Sequence, residues 1–180
     1  MPKLYFRYGT MNSSKSASLI MTAHNYRSRD MKVIVFKPSV DTRDKDCIVS
    51  RALGKFKCDC VLSRDDCNIE KHVPEGVSCV LVDESQFLTT EQVESLRMLT
   101  LRVPVICYGL RTNFMGYLFE GSKRLLELAD SIEEIKTICS MCGDRKAVMN
   151  GKIADGSGKV EIEIGAEELY SSLCWKCWSS

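Results

Sequence analysis

Apolar residues in the first part of the chain come in short blocks, and amphipathic stretches separate the blocks. Leu4-Tyr5-Phe6 opens a strand predicted over Lys3 to Tyr8, and Val33-Ile34-Val35-Phe36, Cys79-Val80-Leu81-Val82 and Val103-Pro104-Val105-Ile106-Cys107-Tyr108 supply further strands. Between them the period lengthens to that of a helix: Ala17 to Tyr26 with Leu19, Ile20, Ala23 and Tyr26 for packing, a helix from Thr90 carrying Val93, Leu96 and Leu99, and one from Ser122 to Ala129 carrying Leu125, Leu126 and Leu128. Apolar strands alternating with helices predict an α/β fold on a buried parallel sheet. Thr89-Thr90-Glu91-Gln92 places a threonine where it caps the second helix, with side chains able to close a capping box. Ser39 to Cys60 is polar, carries no clear period and reads as a long loop, which in a small domain is usually functional or mobile. After Ser131 the texture changes to short β-like pieces, Ile132 to Ile138 and Val160 to Ile164, with the glycine-rich Gly151 to Gly158 between them. That change predicts a main unit over 1–138 and a small appended unit over 139–180.

Composition narrows the classes of function. Lys and Arg number 25 against 24 Asp and Glu. No basic excess is available to hold a nucleic-acid backbone by counterion release, so nucleic acid is not an expected partner. No stretch approaches the ~18 apolar residues of a membrane span, and Met1 to Tyr8 lacks the apolar core of a signal peptide. A cytoplasmic protein without a membrane partner is expected. In a reducing compartment the 10 cysteines are free or bound to metal rather than paired as disulfides.

The sharpest motif follows the first strand. Gly9-Thr10-Met11-Asn12-Ser13-Ser14-Lys15-Ser16 differs from the phosphate-gripping pattern G-x-x-x-x-G-K-[ST] at one place, where Ser14 replaces the second glycine. In such a loop backbone N–H groups cradle phosphates, the lysine reaches the outer ones and the hydroxyl ligates Mg²⁺. The strand before it and the helix after it are the setting an anion needs. The plainer reading is a polar turn with an incidental lysine. A second signal is Asp83-Glu84, which ends the apolar strand Cys79 to Val82. At the carboxyl edge of a sheet both side chains can reach a ligand crevice: Asp83 as a Mg²⁺ ligand or support, Glu84 as the base or water-orienting group of a phosphoryl transfer. The plainer reading of this pair is an acidic cap for the helix at Thr90.

Near the end of the chain Cys139-Ser140-Met141-Cys142 and Cys174-Trp175-Lys176-Cys177 form two C-x-x-C turns. Brought together they supply Cys₄ coordination for a closed, structural Zn²⁺. A segment of that size has too little core to fold unaided, and metal binding supplies the missing energy. A redox role for either turn is the alternative. Cys58, Cys60, Cys67 and His72 are irregularly spaced and read as ordinary side chains, as do Cys47, Cys79 and Cys107.

With these pieces in order the chain resembles the type II thymidine kinases, the cytosolic zinc-containing family, over nearly its full length. The resemblance rests on Gly9 to Ser16, Asp41-Thr42-Arg43, Asp83-Glu84-Ser85-Gln86-Phe87, Tyr108-Gly109-Leu110-Arg111-Thr112-Asn113-Phe114, Phe119-Glu120-Gly121-Ser122, and the cysteine quartet with Tyr170 before its second half. It implies ATP-dependent phosphorylation of deoxythymidine at its 5′-hydroxyl. Gly9 to Ser16, Asp83 and Gln86 would serve the ATP phosphates, Ser16 and Asp83 the Mg²⁺, and Glu84 would be the general base. Met21, Phe87, Leu110, Phe114, Phe119 and Tyr170 match positions that enclose thymine and sugar. Flat, apolar thymine suits aromatic and methionine side chains, although Phe114 and Phe119 taken alone read as core residues. The segment Val160 to Tyr170 matches the family's lasso loop, anchored by the zinc unit. A homotetramer and feedback by dTTP are implied as well.

Two departures from the family pattern are Ser14 for glycine and Asn113 for the aspartate common in bacterial members. A side chain at position 14 predicts a crowded phosphate or a positive φ costing about 1–2 kcal/mol, and reduced activity. The competing readings are a weakened thymidine- or dTTP-binding paralogue and a zinc-ribbon nucleic-acid-binding ATPase. The balanced charge disfavours the latter.

Overall fold

The computed structural model describes residues 1–41, 44, 46–152 and 170–180. Six parallel strands form the central sheet. In chain order they are β1 (Leu4–Tyr8), β2 (Lys32–Pro38), β5 (Cys60–Leu62), β6 (Val77–Val82), β7 (Val105–Gly109) and β8 (Ser131–Glu134). β3 (Cys47–Ser50) and β4 (Gly54–Lys57) pair with each other outside it. The spatial order is β5-β2-β6-β7-β1-β8. The chain leaves β1, crosses to β2 and later returns to fill the gap with β6 and β7, so the carboxyl ends of β1, β6 and β7 border one crevice. Crevices of this kind are where open parallel sheets bind ligands.

Both faces of the sheet are covered, which is why its strands read as unbroken apolar runs. Cys79 and Leu81 of β6 pack with Leu19 and Ala23 of α1 (Lys15–Arg27) on one face. Val80 and Val82 of the same strand pack on the other face, with Val93, Leu96 and Leu99 of α2 (Thr90–Leu99) and Leu125 of α3 (Glu120–Leu128). The two sides of one strand thus belong to two separate cores. The capping box is formed: Thr89 Oγ1 accepts from the Gln92 N–H at 3.2 Å, and Gln92 Oε1 accepts from the Thr89 N–H at 3.1 Å.

The stretch Ser39 to Cys60 is not the loop its sequence predicts. β3 and β4 form an antiparallel hairpin in which Cys47 pairs with Lys57 and Ser50 with Gly54. Ile48 is buried in the core beneath α1, and Cys60 opens edge strand β5. Each strand has only four residues, too short to show a period. The predicted piece Ile132 to Ile138 is in part a sheet strand: β8 joins β1 in parallel, and Ile138 then bridges to Lys146. β9 (Met149–Lys152) and β10 (Tyr170–Leu173) make a second antiparallel pair, followed by the short α4 (Trp175–Ser179). The predicted strand Val160 to Ile164, and Val160 to 169 of the lasso match, lie outside the described residues. Among the described residues no helix is long and apolar enough to cross a membrane.

Candidate active site

The phosphate-loop motif occupies the carboxyl end of β1. Gly9 continues the ladder by donating its N–H to the Gly109 carbonyl at 3.2 Å. A Cβ at Gly9 would lie 2.2 Å from Ser13 Oγ and 2.6 Å from the Ile135 carbonyl oxygen, so only glycine fits where the chain turns back on itself. Lys15 is buried and folds inward, donating to the Thr10 carbonyl at 2.7 Å and to Ser13 Oγ at 3.4 Å. Thr10 Oγ1 is buried and has no hydrogen-bond partner among the described residues. Asn12 and Ser14 are left-handed, with φ of 58° and 63°. Serine at position 14 therefore adopts the conformation that glycine takes at little cost and that other L-residues take at about 1–2 kcal/mol.

The acidic pair faces this loop across the crevice. Ser16 donates from Oγ to Asp83 Oδ2 at 3.0 Å, joining the first residues of α1 to the end of β6. Asp83 is almost fully buried, and Glu84 is held at φ 47°, a conformation that turns the chain out of the strand. Gln86 fixes this turn from two sides: its Nε2 donates to the Glu84 carboxylate and its Oε1 accepts from the Leu110 N–H at 3.0 Å. Neither acidic residue caps α2, since Thr89 does. Non-glycine residues at positive φ are sparse, and among the described residues three of the four stand in the loop or the acidic turn: Asn12, Ser14 and Glu84. Backbone strain of this kind gathers at functional sites.

Between these elements lies a cavity of about 220 Å³. Its walls are Met11 to Ala17, Glu84, Leu110, and Val49, Ser50, Arg51 and Ala52 from the tip of the β3–β4 hairpin. The hairpin tip is a part of the site that sequence reasoning missed. Only the basic residues of that stretch, Arg51 among them, gave a sign of it. Asp41 is buried in an ion pair with Lys37 at 3.1 Å, at the end of β2, while Thr42 and Arg43 of the same motif lie outside the described residues.

The aromatic residues expected around a base, Phe87, Phe114, Phe119 and Tyr170, are not on the wall of this cavity, whereas Leu110 is. Phe87 and Phe119 meet edge to face with centroids 5.7 Å apart, and Phe114 and Tyr170 lie 6.0 Å apart. Met21 is 59% exposed on α1. Asn113 accepts from the N–H groups of Met115 and Tyr117, both at 3.0 Å, through Oδ1. An aspartate oxygen would do the same, so this departure preserves the turn.

The four cysteines converge. Their sulfur atoms all lie within 4.8 Å of one another, with Cys142 and Cys174 Sγ 4.0 Å apart. Tetrahedral Zn–S bonds of 2.3 Å require sulfurs about 3.8 Å apart, so the quartet fits a zinc ion with small adjustment. Backbone N–H groups point at the sulfurs, led by that of Cys142 toward Cys139, whose thiol is pulled down to about 6. The Cys177 N–H likewise lowers Cys174. Cys139 and Cys174 are thereby favoured as the thiolates a metal needs, while the hydrogen bond to Cys174 and the other quartet thiols push Cys177 up to about 12. Outside the quartet burial pushes Cys58 and Cys79 up to about 11. Among the described residues Cys58, Cys60, Cys67 and His72 form no metal-sized cluster. A further group of close ligand atoms, Asp44, Asp46 and Cys47, is partly exposed.

Two residues unmarked in the sequence join the cysteine-bearing unit to the crevice. Asn150 of β9 accepts from the Met11 N–H at 2.8 Å and donates to the Thr112 carbonyl at 2.9 Å, and Ser172 of β10 donates to the Met11 carbonyl. Further out, Trp178 donates from Nε1 to the Phe114 carbonyl at 3.0 Å.

Comparison with known proteins agrees with this arrangement. The family model described as Thymidine kinase matches residues 2–178. The thymidine kinase of Enterobacteria phage T4 is 45% identical over 190 residues, covering 99% of this chain and 96% of the phage protein. That of Haemophilus influenzae is 45% identical over 97% of this chain and 94% of its own length, and that of Streptococcus gordonii 43% identical over 98% and 95%. Likeness of this depth from one end of the sequence to the other places the chain in the thymidine kinase family.

Proposed function

We propose that this chain transfers the γ-phosphoryl group of ATP to the 5′-hydroxyl of deoxythymidine, giving dTMP. The observation that carries the reading is the meeting of the Ser16 hydroxyl and Asp83 at 3.0 Å, with Glu84 and the phosphate loop on one cavity, in a chain of this family. In the proposed mechanism backbone N–H groups of Gly9 to Ser16 bind the donor phosphates. Lys15 swings from its internal contacts to the outer phosphates. Ser16 and Asp83 would hold the divalent cation that accompanies ATP, which would supply charge neutralisation at the phosphates. Glu84, oriented by Gln86, takes the proton of the 5′-hydroxyl as its oxygen bonds to the γ-phosphorus and the bond to the β-phosphate oxygen breaks.

Met21, Phe87, Leu110, Phe114, Phe119 and Tyr170 are the proposed nucleoside contacts. The two aromatic pairs supply flat apolar surface for thymine. Zn²⁺ held by Cys139, Cys142, Cys174 and Cys177 is structural in this reading, since the four sulfurs leave no open position. The division into a nucleotide-binding unit over 1–138 and a zinc-bearing unit over 139–180, a homotetramer, feedback inhibition by dTTP and a cytoplasmic location complete the proposal. A steady-state assay with ATP, Mg²⁺ and deoxythymidine tests it directly: formation of dTMP and ADP in equal amounts supports it, and ATP hydrolysis without dTMP overturns it.

A further inference from the structure

The phosphate loop has two non-glycine residues at positive φ, Asn12 and Ser14, immediately after Met11. A loop in this conformation needs tethers outside itself. The Met11 peptide has them on both sides. Its N–H reaches Asn150 Oδ1 at 2.8 Å, and its carbonyl accepts the Ser172 hydroxyl. Asn150 and Ser172 are direct cross-strand partners on β9 and β10, and both are almost fully buried. The Asn150 amide cannot flip, because its Nδ2 donates to the Thr112 carbonyl at 2.9 Å while its oxygen serves Met11. The strand behind them is tied to the cysteine quartet: Ser140, next to Cys139, donates from both N–H and hydroxyl to the Ser172 carbonyl, at 2.9 and 3.0 Å. Cys174 follows β10 after Leu173.

We infer that Asn150 and Ser172 are positioning residues that hold the phosphate loop by the Met11 peptide, making the cysteine-anchored hairpin part of the phosphate-donor site. A hairpin that served only the nucleoside side would have no reason to bury two polar side chains on a phosphate-loop peptide. The inference rests on the proposed role of that loop in binding ATP. Asn150 also reaches Thr112, just before Phe114, so the two side chains separate by what they touch. Ser172 acts on the phosphate loop alone, and Asn150 on the phosphate loop and the following loop of β7.

The test uses the full zinc-loaded chain. Ser172→Ala and Asn150→Ala are compared with the parent by equilibrium titration with a non-hydrolysable ATP analogue, by separate KM values for ATP and deoxythymidine, and by hydrogen exchange at the Met11 amide. Loss of a buried hydrogen bond predicts that Ser172→Ala weakens the analogue and raises KM for ATP about tenfold, with KM for deoxythymidine and kcat changing less than about threefold. Asn150→Ala is expected to raise both KM values and to speed exchange at Met11. Analogue affinity within about twofold of the parent in Ser172→Ala, with zinc content and unfolding midpoint preserved, overturns the inference. That variant decides the matter even where Asn150→Ala fails to fold. A parent chain that binds the analogue but makes no dTMP refutes the kinase reading and leaves this test standing, because affinity and amide exchange need no turnover.

Discussion

The phosphate loop and the cysteine-bearing segment both reach the same crevice, yet they are held there by different physics. The loop hangs between a strand that buries Leu4 and Phe6 and a helix packed on the core through Leu19 and Ala23, and Asn150 and Ser172 tether it at Met11. Among the described residues from Cys139 onward few apolar side chains are buried. Met141 and Trp175 are exposed, and four sulfurs and a two-stranded ladder gather the described part of the segment. One region is built on apolar burial and carries backbone strain, while the other is gathered at a zinc-sized cluster of four cysteines.

The largest expected effect lies in the sheet-supported region. Glu84→Gln keeps size and the capacity to pair with Gln86 but removes the proposed base, so turnover at saturating substrates is expected to fall ~10²–10⁴-fold while nucleotide affinity changes little. Near-normal turnover in that variant removes Glu84 from the role of base.

Metal dependence probes the other region. The purified protein is expected to hold one zinc per chain, and Cys142→Ser or Cys174→Ser to lose it, with KM for deoxythymidine raised more than KM for ATP. Elemental analysis with parallel kinetics checks both. Full activity in zinc-free protein refutes the structural role of the metal. Lowering the pH sharpens the contrast, since thiolates must take up protons before the sheet loses its packing, so zinc release is expected to precede unfolding in an acid titration.

A smaller effect is expected at position 14. Ser14 stands at φ 63°, so Ser14→Gly relieves strain and clears the backbone's approach to the phosphates. A gain in kcat/KM for ATP of about tenfold, equivalent to roughly 1.4 kcal/mol, is predicted. Unchanged or lower efficiency means that the loop accommodates serine without functional loss.

The smallest effect is acid sensitivity of the sheet's own edges. The Arg97 guanidinium, with the Leu4 N–H, holds the Asp130 carboxyl below its ordinary 3.8, and Lys71, with His72, does the same for Asp66. A depressed folded value means stability that is present above the unfolded value and lost as pH falls through the lower folded one. Urea midpoints should therefore hold near neutral pH and decline below about pH 4, and Asp130→Asn should make that decline shallower.

How far the sequence reached depended on whether a feature was local. The strands β1, β2, β6 and β7, the helix faces of Leu19 and Ala23 and of Val93, Leu96 and Leu99, and the Thr89 capping box were legible because their periods and caps lie within a few residues, whereas the short edge strand β5 was not. Gly9 to Ser16, Asp83-Glu84 and the two C-x-x-C turns were legible because each chemistry needs fixed spacing along the chain. The β3–β4 hairpin was not, since four-residue strands carry too little pattern and Ile48 earns its burial only beneath α1. The parallel order β5-β2-β6-β7-β1-β8 was likewise decided in three dimensions, because parallel strands meet only through long crossovers. The left-handed backbone at Ser14 was one of two outcomes the substitution allowed, and tertiary support selected it. The hold of Asn150 and Ser172 on Met11 had no sequence signal at all: the partners lie 139 and 161 positions apart, and a hydrogen bond between a buried side chain and a distant peptide leaves no spacing to read.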